Sequence, residues 1–304
     1  MKTGSFDPCE LSESVIAVPP LCRNDAGKIE YGQNARLIKH LESGGVRSLL
    51  YGGNAVLYHT SLDDLSTLCA NLVQQTSPNT TVTPAMGPSF GAAMDQIEVL
   101  RQFDFPTVML LPSRDIVDSS GIAQACSKLA DRLQKPIVLY LKYDQWMDPV
   151  DVVSLERDGV IAWIKYAVVR DNPEDDDYLR AIMDSFPRER MVSGIGEQPA
   201  IIHVRDFQLA GYTSGCVCVA PEKSMMMLKK IQAHDWGSAE ELRGYFRPLE
   251  DLRDQISPIR VLHEAVELAG IAKTGLIQPM LSRVDESVRA RIISALTTMN
   301  LQQQ

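Results

Sequence analysis

Short, continuously apolar runs alternate with longer segments of helical spacing along most of this chain. The runs are VIAV (15–18), SLLYG (48–52), VTPAMG (82–87), TVMLL (107–111), IVLYL (137–141), IAWIK (161–165), MVSG (191–194) and CVCV (216–219). None of them alternates apolar with polar residues. That is the pattern of strands covered on both faces, as in parallel sheets flanked by helices.

The intervening segments carry helix signals. NARLIKHLESGG (34–45) sets Leu37, Ile38 and Leu41 on one face and stops at Gly44-Gly45, a C-cap pair. Ser61-Leu62-Asp63-Asp64 resembles a capping box and opens a helix running to about Gln74. Segments 91–103, 119–133, 175–186 and 223–234 have the same character, a short helix is expected around 149–155, and 199–210 is less clear. Asp175-Asp176-Asp177 reads as the charged start of a helix rather than a metal cluster. Eight strands alternating with helices predict a (β/α)8 barrel over residues 14–235. A doubly wound open sheet is the alternative. It would want a glycine-rich phosphate loop after an early strand, and GGNAV (52–56) does not supply one. From Trp236 the chain shows three further helical segments without strands, so 236–304 is expected to form a helical annex on the barrel.

The formal charge of −9 argues against a nucleic-acid or anionic-membrane partner, since both need a basic footprint. Six scattered cysteines without a CxxC pair read as reduced thiols, and the polar, acidic start MKTGSFDPCELSE is unlike a signal peptide. No apolar run approaches the roughly 18 residues of a membrane span. A cytoplasmic protein is expected.

Barrel chemistry sits at the C-terminal ends of the strands. Lys165 ends the sixth run, so its ammonium should be partly desolvated there. Desolvation lowers a lysine pKa, and a neutral amine can attack a carbonyl to form a Schiff base. The alternative is a lysine that snorkels to water from the strand edge. Tyr140 lies near the end of the neighbouring run and could carry protons while an imine forms and breaks; a core tyrosine is the other reading. Lys142 shares strand parity with Tyr140 but lies beyond the apolar run, which makes it the weaker imine candidate. Cys216 and Cys218 would share one face of a strand, but no histidine or cysteine pair has the spacing to complete a metal site. His59 is a further candidate for the pocket lining.

These residues fall in a wider pattern. AVPPLCRNDAGKIEYGQNARLIKHLESGGVRSLLYGGNA, PIVLY (136–140), IAWIKYA (161–167), MVSGIGEQ (191–198), GYTSGCVCVAPE (211–222) and the closing PIRVLHEAVELAG…LIQPMLSRVDESVRARI resemble the successive motifs of the dihydrodipicolinate synthase / N-acetylneuraminate lyase family, the class I Schiff-base aldolases. The resemblance runs from about Ser14 to Met299. It implies that Lys165 is the imine-forming lysine and Tyr140 the proton-relay tyrosine. Gly53 and Asn54 match the pair that holds the substrate carboxylate, and Val217 matches the apolar residue whose carbonyl faces the imine region. It also implies a homotetramer and no metal or organic cofactor.

The departures are specific. The family's GTTGE motif is Gly52-Gly53-Asn54-Ala55-Val56 here, so a relay hydroxyl is replaced by Gly53. An amide at Asn54 can donate but cannot shuttle a proton as a hydroxyl can. The PYY motif is Pro112-Ser113-Arg114-Asp115, which lacks the tyrosine usually donated across a subunit interface. The residues after Tyr140 are Leu141-Lys142-Tyr143-Asp144-Gln145-Trp146, without the synthase's arginine, and Cys218 stands for the serine of the GxIS segment. These changes argue against dihydrodipicolinate synthesis itself. The expectation is a class I lyase or aldolase acting on pyruvate or a related 2-oxo acid, with Lys142 or Arg114 binding an acidic group of a different second substrate. A sugar-acid dehydratase using the same imine, and a catalytically degenerate ligand-binding barrel, are the alternatives.

Overall fold

A computed structural model describes residues 1–301. Eight parallel strands close into a barrel in chain order. They are β1 (Ile16–Ala17), β2 (Ser48–Tyr51), β3 (Thr81–Met86), β4 (Met109–Leu110), β5 (Ile137–Leu141), β6 (Ile161–Tyr166), β7 (Met191–Ser193) and β8 (Gly211–Ser214). The seam closes where Ile16 pairs with Thr213 and Ala17 with Ser214. Every strand residue is buried, which accounts for the unbroken apolar runs.

A four-residue helix α1 (Glu10–Glu13) precedes β1, and helices α2 (Tyr31–Ser43), α3 (Leu62–Gln75), α4 (Phe90–Leu100), α5 (Ser119–Leu133), α6 (Pro149–Arg157), α7 (Asp177–Met183), α8 (Ala200–Arg205) and α9 (Pro221–Gln232) follow the strands in turn. Their ends follow local chemistry. Gly44 closes α2 by donating its N–H to His40 O, and Ser61 caps α3 by accepting from the Asp64 N–H. Asp176 caps α7 through the Leu179 N–H, so the acidic triplet does start a helix, although that helix is shorter than the spacing predicts. The annex consists of α10 (Trp236–Gln255), α11 (Pro258–Leu268) and α12 (Glu286–Thr298). The last three residues assigned to it lie outside the described residues. Among the described residues no helix is long and apolar enough to cross a membrane.

One strand assignment is corrected. The eighth strand is Gly211–Ser214, and Cys216–Cys218 form a 3-10 turn beyond its end. Consequently the two thiols do not share a strand face. The polar Thr213 and Ser214 hide the strand from an apolar-run criterion, while the CVCV run is apolar because the turn is buried against α9, α2 and α10. All three turn residues have no exposed surface.

Candidate active site

Lys165 sits one residue from the end of β6 and pairs in register with Tyr140 on β5. Two residues in register on neighbouring strands point to the same side of a sheet. Lys165 Nζ accordingly lies 4.4 Å from the Tyr140 ring centroid. Both residues are buried, at 5 % and 9 % exposure. The side chain needs the glycine that follows β7. A β-carbon on Gly194 would stand 3.0 Å from Lys165 Cγ and 2.7 Å from both Tyr166 O and Ala167 Cβ.

Burial lowers the Lys165 pKa to about 7, and the nearby cations Lys142 and Arg253 push in the same direction. Among the described residues no carboxylate forms an ion pair with it. A substantial fraction of neutral amine is therefore present at neutral pH. Burial raises the Tyr140 pKa, so its phenol stays protonated and able to donate.

These two residues share a cavity of about 230 Å³ with Gly53, Asn54, Tyr58 and Lys142. A larger cavity of about 580 Å³ lies between the starts of α4 and α5 and contains neither Lys165 nor Tyr140. The smaller one opens at the strand ends, where a barrel places its site.

The structure brings together most of the expected residues. Gly53 and Asn54 line the cavity on the turn after β2, and Asn54 Nδ2 donates to Val18 O at 2.7 Å. His263 Nε2 lies 2.9 Å from Asn54 O and ties that turn to α11. Burial drives the His263 pKa down to about 4, so the imidazole is neutral and its Nε2–H can donate to that carbonyl. Lys142 reaches the rim, with its Nζ 6.0 Å from the Tyr58 ring centroid. It forms no ion pair among the described residues, and desolvation lowers its pKa although the residue as a whole keeps solvent contact.

Three expected residues fall elsewhere. Val217 lies in the buried 3-10 turn, where its N–H donates to Ser214 Oγ, and it does not line the cavity. Thr213 occupies that wall on β8, which lies five residues earlier than the apolar run suggested. Arg114 follows β4 in an exposed loop and stacks over Tyr143 at 5.7 Å, outside the cavity. His59 is exposed and also absent from the lining.

Tyr58 and Arg253 line the cavity without having been expected. Tyr58 stands on a short 3-10 turn, and its hydroxyl is buried without a hydrogen-bond partner. Its neighbour His59 drew the attention that the tyrosine merited. Arg253 comes from α10, in a charged stretch that reads as a solvated helix face. Glu197, Cys216 and Glu250 also place three potential ligand atoms within 4.8 Å of one another. Arg253 Nη1 lies 2.7 Å from Glu250 there, so a guanidinium already supplies the positive charge that a metal ion would bring.

No family model matches the chain, and no curated protein matches it. Solved structures do. Dihydrodipicolinate synthase from Bacillus clausii superimposes with a TM-score of 0.87 at 19 % identity, covering 97 % of this chain and 100 % of that one. The prophage protein YagE from E. coli K12, of the dihydrodipicolinic acid synthase family and in complex with pyruvate, gives 0.82 at 18 % identity over 95 % of this chain and 99 % of that one. A monomeric dihydrodipicolinate synthase variant gives 0.84 at 17 % identity, with 97 % and 99 % covered. The chain thus has the closed barrel fold of the dihydrodipicolinate synthases, carried by a sequence far diverged from theirs.

Proposed function

We propose that the protein is a class I lyase or aldolase of the dihydrodipicolinate synthase-like kind, forming a Schiff base between Lys165 and pyruvate or a related 2-oxo acid. The carrying observation is a buried lysine with a pKa of about 7, free of any carboxylate partner, beside Tyr140 at the mouth of the barrel. The neutral Nζ attacks the ketone carbon, and the carbonyl oxygen takes a proton to become a hydroxyl. Tyr140 is placed to supply that proton, to take one back from the newly bonded nitrogen and to pass it to the hydroxyl, which leaves as water. The resulting iminium withdraws electrons from the neighbouring carbon. A proton lost there, or a carbon–carbon bond broken there, leaves an enamine on Lys165. Reprotonation or attack on an aldehyde restores the iminium, and water releases the product. The lysine serves as the electron sink, so this reading asks for no metal or organic cofactor.

The test follows the methyl protons of pyruvate by NMR in D2O. An enamine-forming protein exchanges them for deuterium, and Lys165→Ala should not. Equal, background exchange by both proteins would remove the proposal. Tyr140→Phe is expected to slow exchange by roughly 10²-fold or more, the usual scale for a proton-transfer group, while leaving the lysine able to form the imine. Exchange at the wild-type rate would show that the phenol is not the proton carrier.

Lys142 is the better placed of the two expected cations for an acidic group on a second substrate, since Arg114 stands outside the cavity. Lys142→Ala should raise the half-saturating concentration of an anionic acceptor several-fold and leave that of a neutral aldehyde unchanged. A steady-state comparison of the two acceptors reads this directly. Cytoplasmic location and homotetramer assembly belong to the same proposal. Exposed Phe90, Ile116 and Val117 around the larger cavity give an apolar face of the kind a second copy covers.

A further inference from the structure

Helix α10 belongs to the annex, yet one of its faces reaches into the Lys165 cavity. Glu250 and Arg253 lie one helical turn apart, both buried, at 1 % and 8 % exposure. Glu250 Oε1 accepts from Arg253 Nη1 at 2.7 Å, and Arg253 Nε donates to Pro258 O at 3.3 Å. The remaining terminal nitrogen, Nη2, has no acceptor among the described residues, and Arg253 lines the cavity beside Asn54 and Lys165. A guanidinium carries five N–H donors in a planar fork, so its free edge can still bind an acceptor while Glu250 holds the other.

Gly215 is what lets the arginine lie there. A β-carbon on Gly215 would stand 2.6 Å from Arg253 Nη2 and 3.1 Å from Asn54 Nδ2. Two nitrogens from distant parts of the chain therefore converge on one point of the cavity wall. Asn54 spends one amide hydrogen on Val18 O and keeps the second. The backbone of Asn54 is held by His263, so the amide is a positioned donor. A charged donor and a neutral donor converging on a buried wall match the two oxygens of a carboxylate.

We propose that Arg253 and Asn54 form a carboxylate-binding cradle against Gly215, which anchors the acid group of the substrate while its carbonyl lies at Lys165. This rests on the 2-oxo acid reading for the identity of the ligand. The cradle makes the free acid, and not its ester or amide, the substrate class. It gives the cavity an ionic anchor in place of the hydroxyl-bearing pair that Gly53 and Asn54 replace. Arg253 acts here by binding the acid group, and Glu250 acts by positioning Arg253.

The experiment compares pyruvate with methyl pyruvate. Both carry the reacting ketone and only the first carries the charge. Half-saturation of borohydride trapping is measured for each in the wild type and in Arg253→Met/Glu250→Gln, which removes both buried charges together. The pyruvate value is expected to rise roughly tenfold or more, as for loss of a charged hydrogen bond, and the methyl pyruvate value to stay where it was. An equal change for both compounds would assign Arg253 a structural role only, and no change for either would also overturn the cradle. Should the double variant not fold, Gly215→Ala decides, since it displaces the guanidinium and keeps every charge. The same selective loss for pyruvate is expected, and an unchanged pyruvate preference overturns the proposal. A second arm separates this idea from the Schiff-base reading. Calorimetry of pyruvate binding to Lys165→Ala cannot involve an imine. Binding that disappears in Lys165→Ala/Gly215→Ala supports the cradle even when no 2-oxo acid can be trapped, and absence of binding to Lys165→Ala contradicts it.

Discussion

Lys165→Met is expected to stabilise the protein against urea at pH 6–7, by up to about 5 kcal/mol, while removing the proposed imine-forming amine. The gain follows from linkage. In the unfolded chain the lysine holds its proton up to its ordinary value of 10.5, and in the folded protein burial lowers that value to about 7. Below pH 7 folding must bury an ammonium, and the cost is fully present. Between about 7 and 10.5 the unfolded state binds more protons than the folded one, so stability rises with pH and the cost fades. Each pKa unit is worth about 1.4 kcal/mol, which sets the scale. A buried methionine has no such cost. The stability difference between variant and wild type should therefore be largest below pH 7 and shrink toward pH 10. A difference that is flat with pH, or a destabilised variant, would mean that the lysine is not desolvated as described.

Glu250→Ala carries the second large effect, a loss of about 3–5 kcal/mol. Arg253 is buried, and burial opposes its charge, but Glu250 at 2.7 Å holds it firmly protonated. Removing the carboxylate takes away the counter-charge bonded to the guanidinium in the protein interior. The same change touches Glu197, which is buried with Ser214 and Ser224 donating to its two oxygens. Burial first, and then the Glu250 charge, raise the Glu197 pKa to about 8. Without Glu250 that value should fall. Arg253→Met/Glu250→Gln should cost much less than Glu250→Ala, because a neutralised pair leaves nothing uncompensated. Urea unfolding of the three proteins measures this. A loss under about 1 kcal/mol for Glu250→Ala would place the pair in water, in conflict with its burial.

The amino-acid sequence makes the barrel legible because parallel strands covered on both faces leave unbroken apolar runs, and seven of the eight runs meet a strand. The eighth does not. Gly211-Tyr212-Thr213-Ser214 carries polar side chains into the interior, where Thr213 faces the cavity and Ser214 bonds Glu197. A strand that serves a site is less apolar than one that serves only packing, and the apolar turn after it draws the assignment.

The site was half legible for a related reason. Lys165 and Tyr140 stand at the ends of clear strands, so topology alone brings them together. Arg253 stands on a helix beyond the barrel, in Leu252-Arg253-Asp254, where charge at helical spacing ordinarily means solvent. Only the packing of α10 over the strand ends turns that arginine inward. Tyr58 stands on a turn without periodicity, and Arg114, expected at the mouth as a cation after the fourth run, instead stacks over Tyr143 outside the cavity.

Borohydride reduction in the presence of pyruvate, followed by intact-protein and peptide mass analysis, tests the central claim most directly. The expected result is one pyruvate-derived adduct, on the peptide containing Lys165, present in the wild type and absent in Lys165→Ala. A folded protein that gives no adduct with pyruvate or any of a panel of 2-oxo acids, or one that carries its adduct on Lys142, would contradict it.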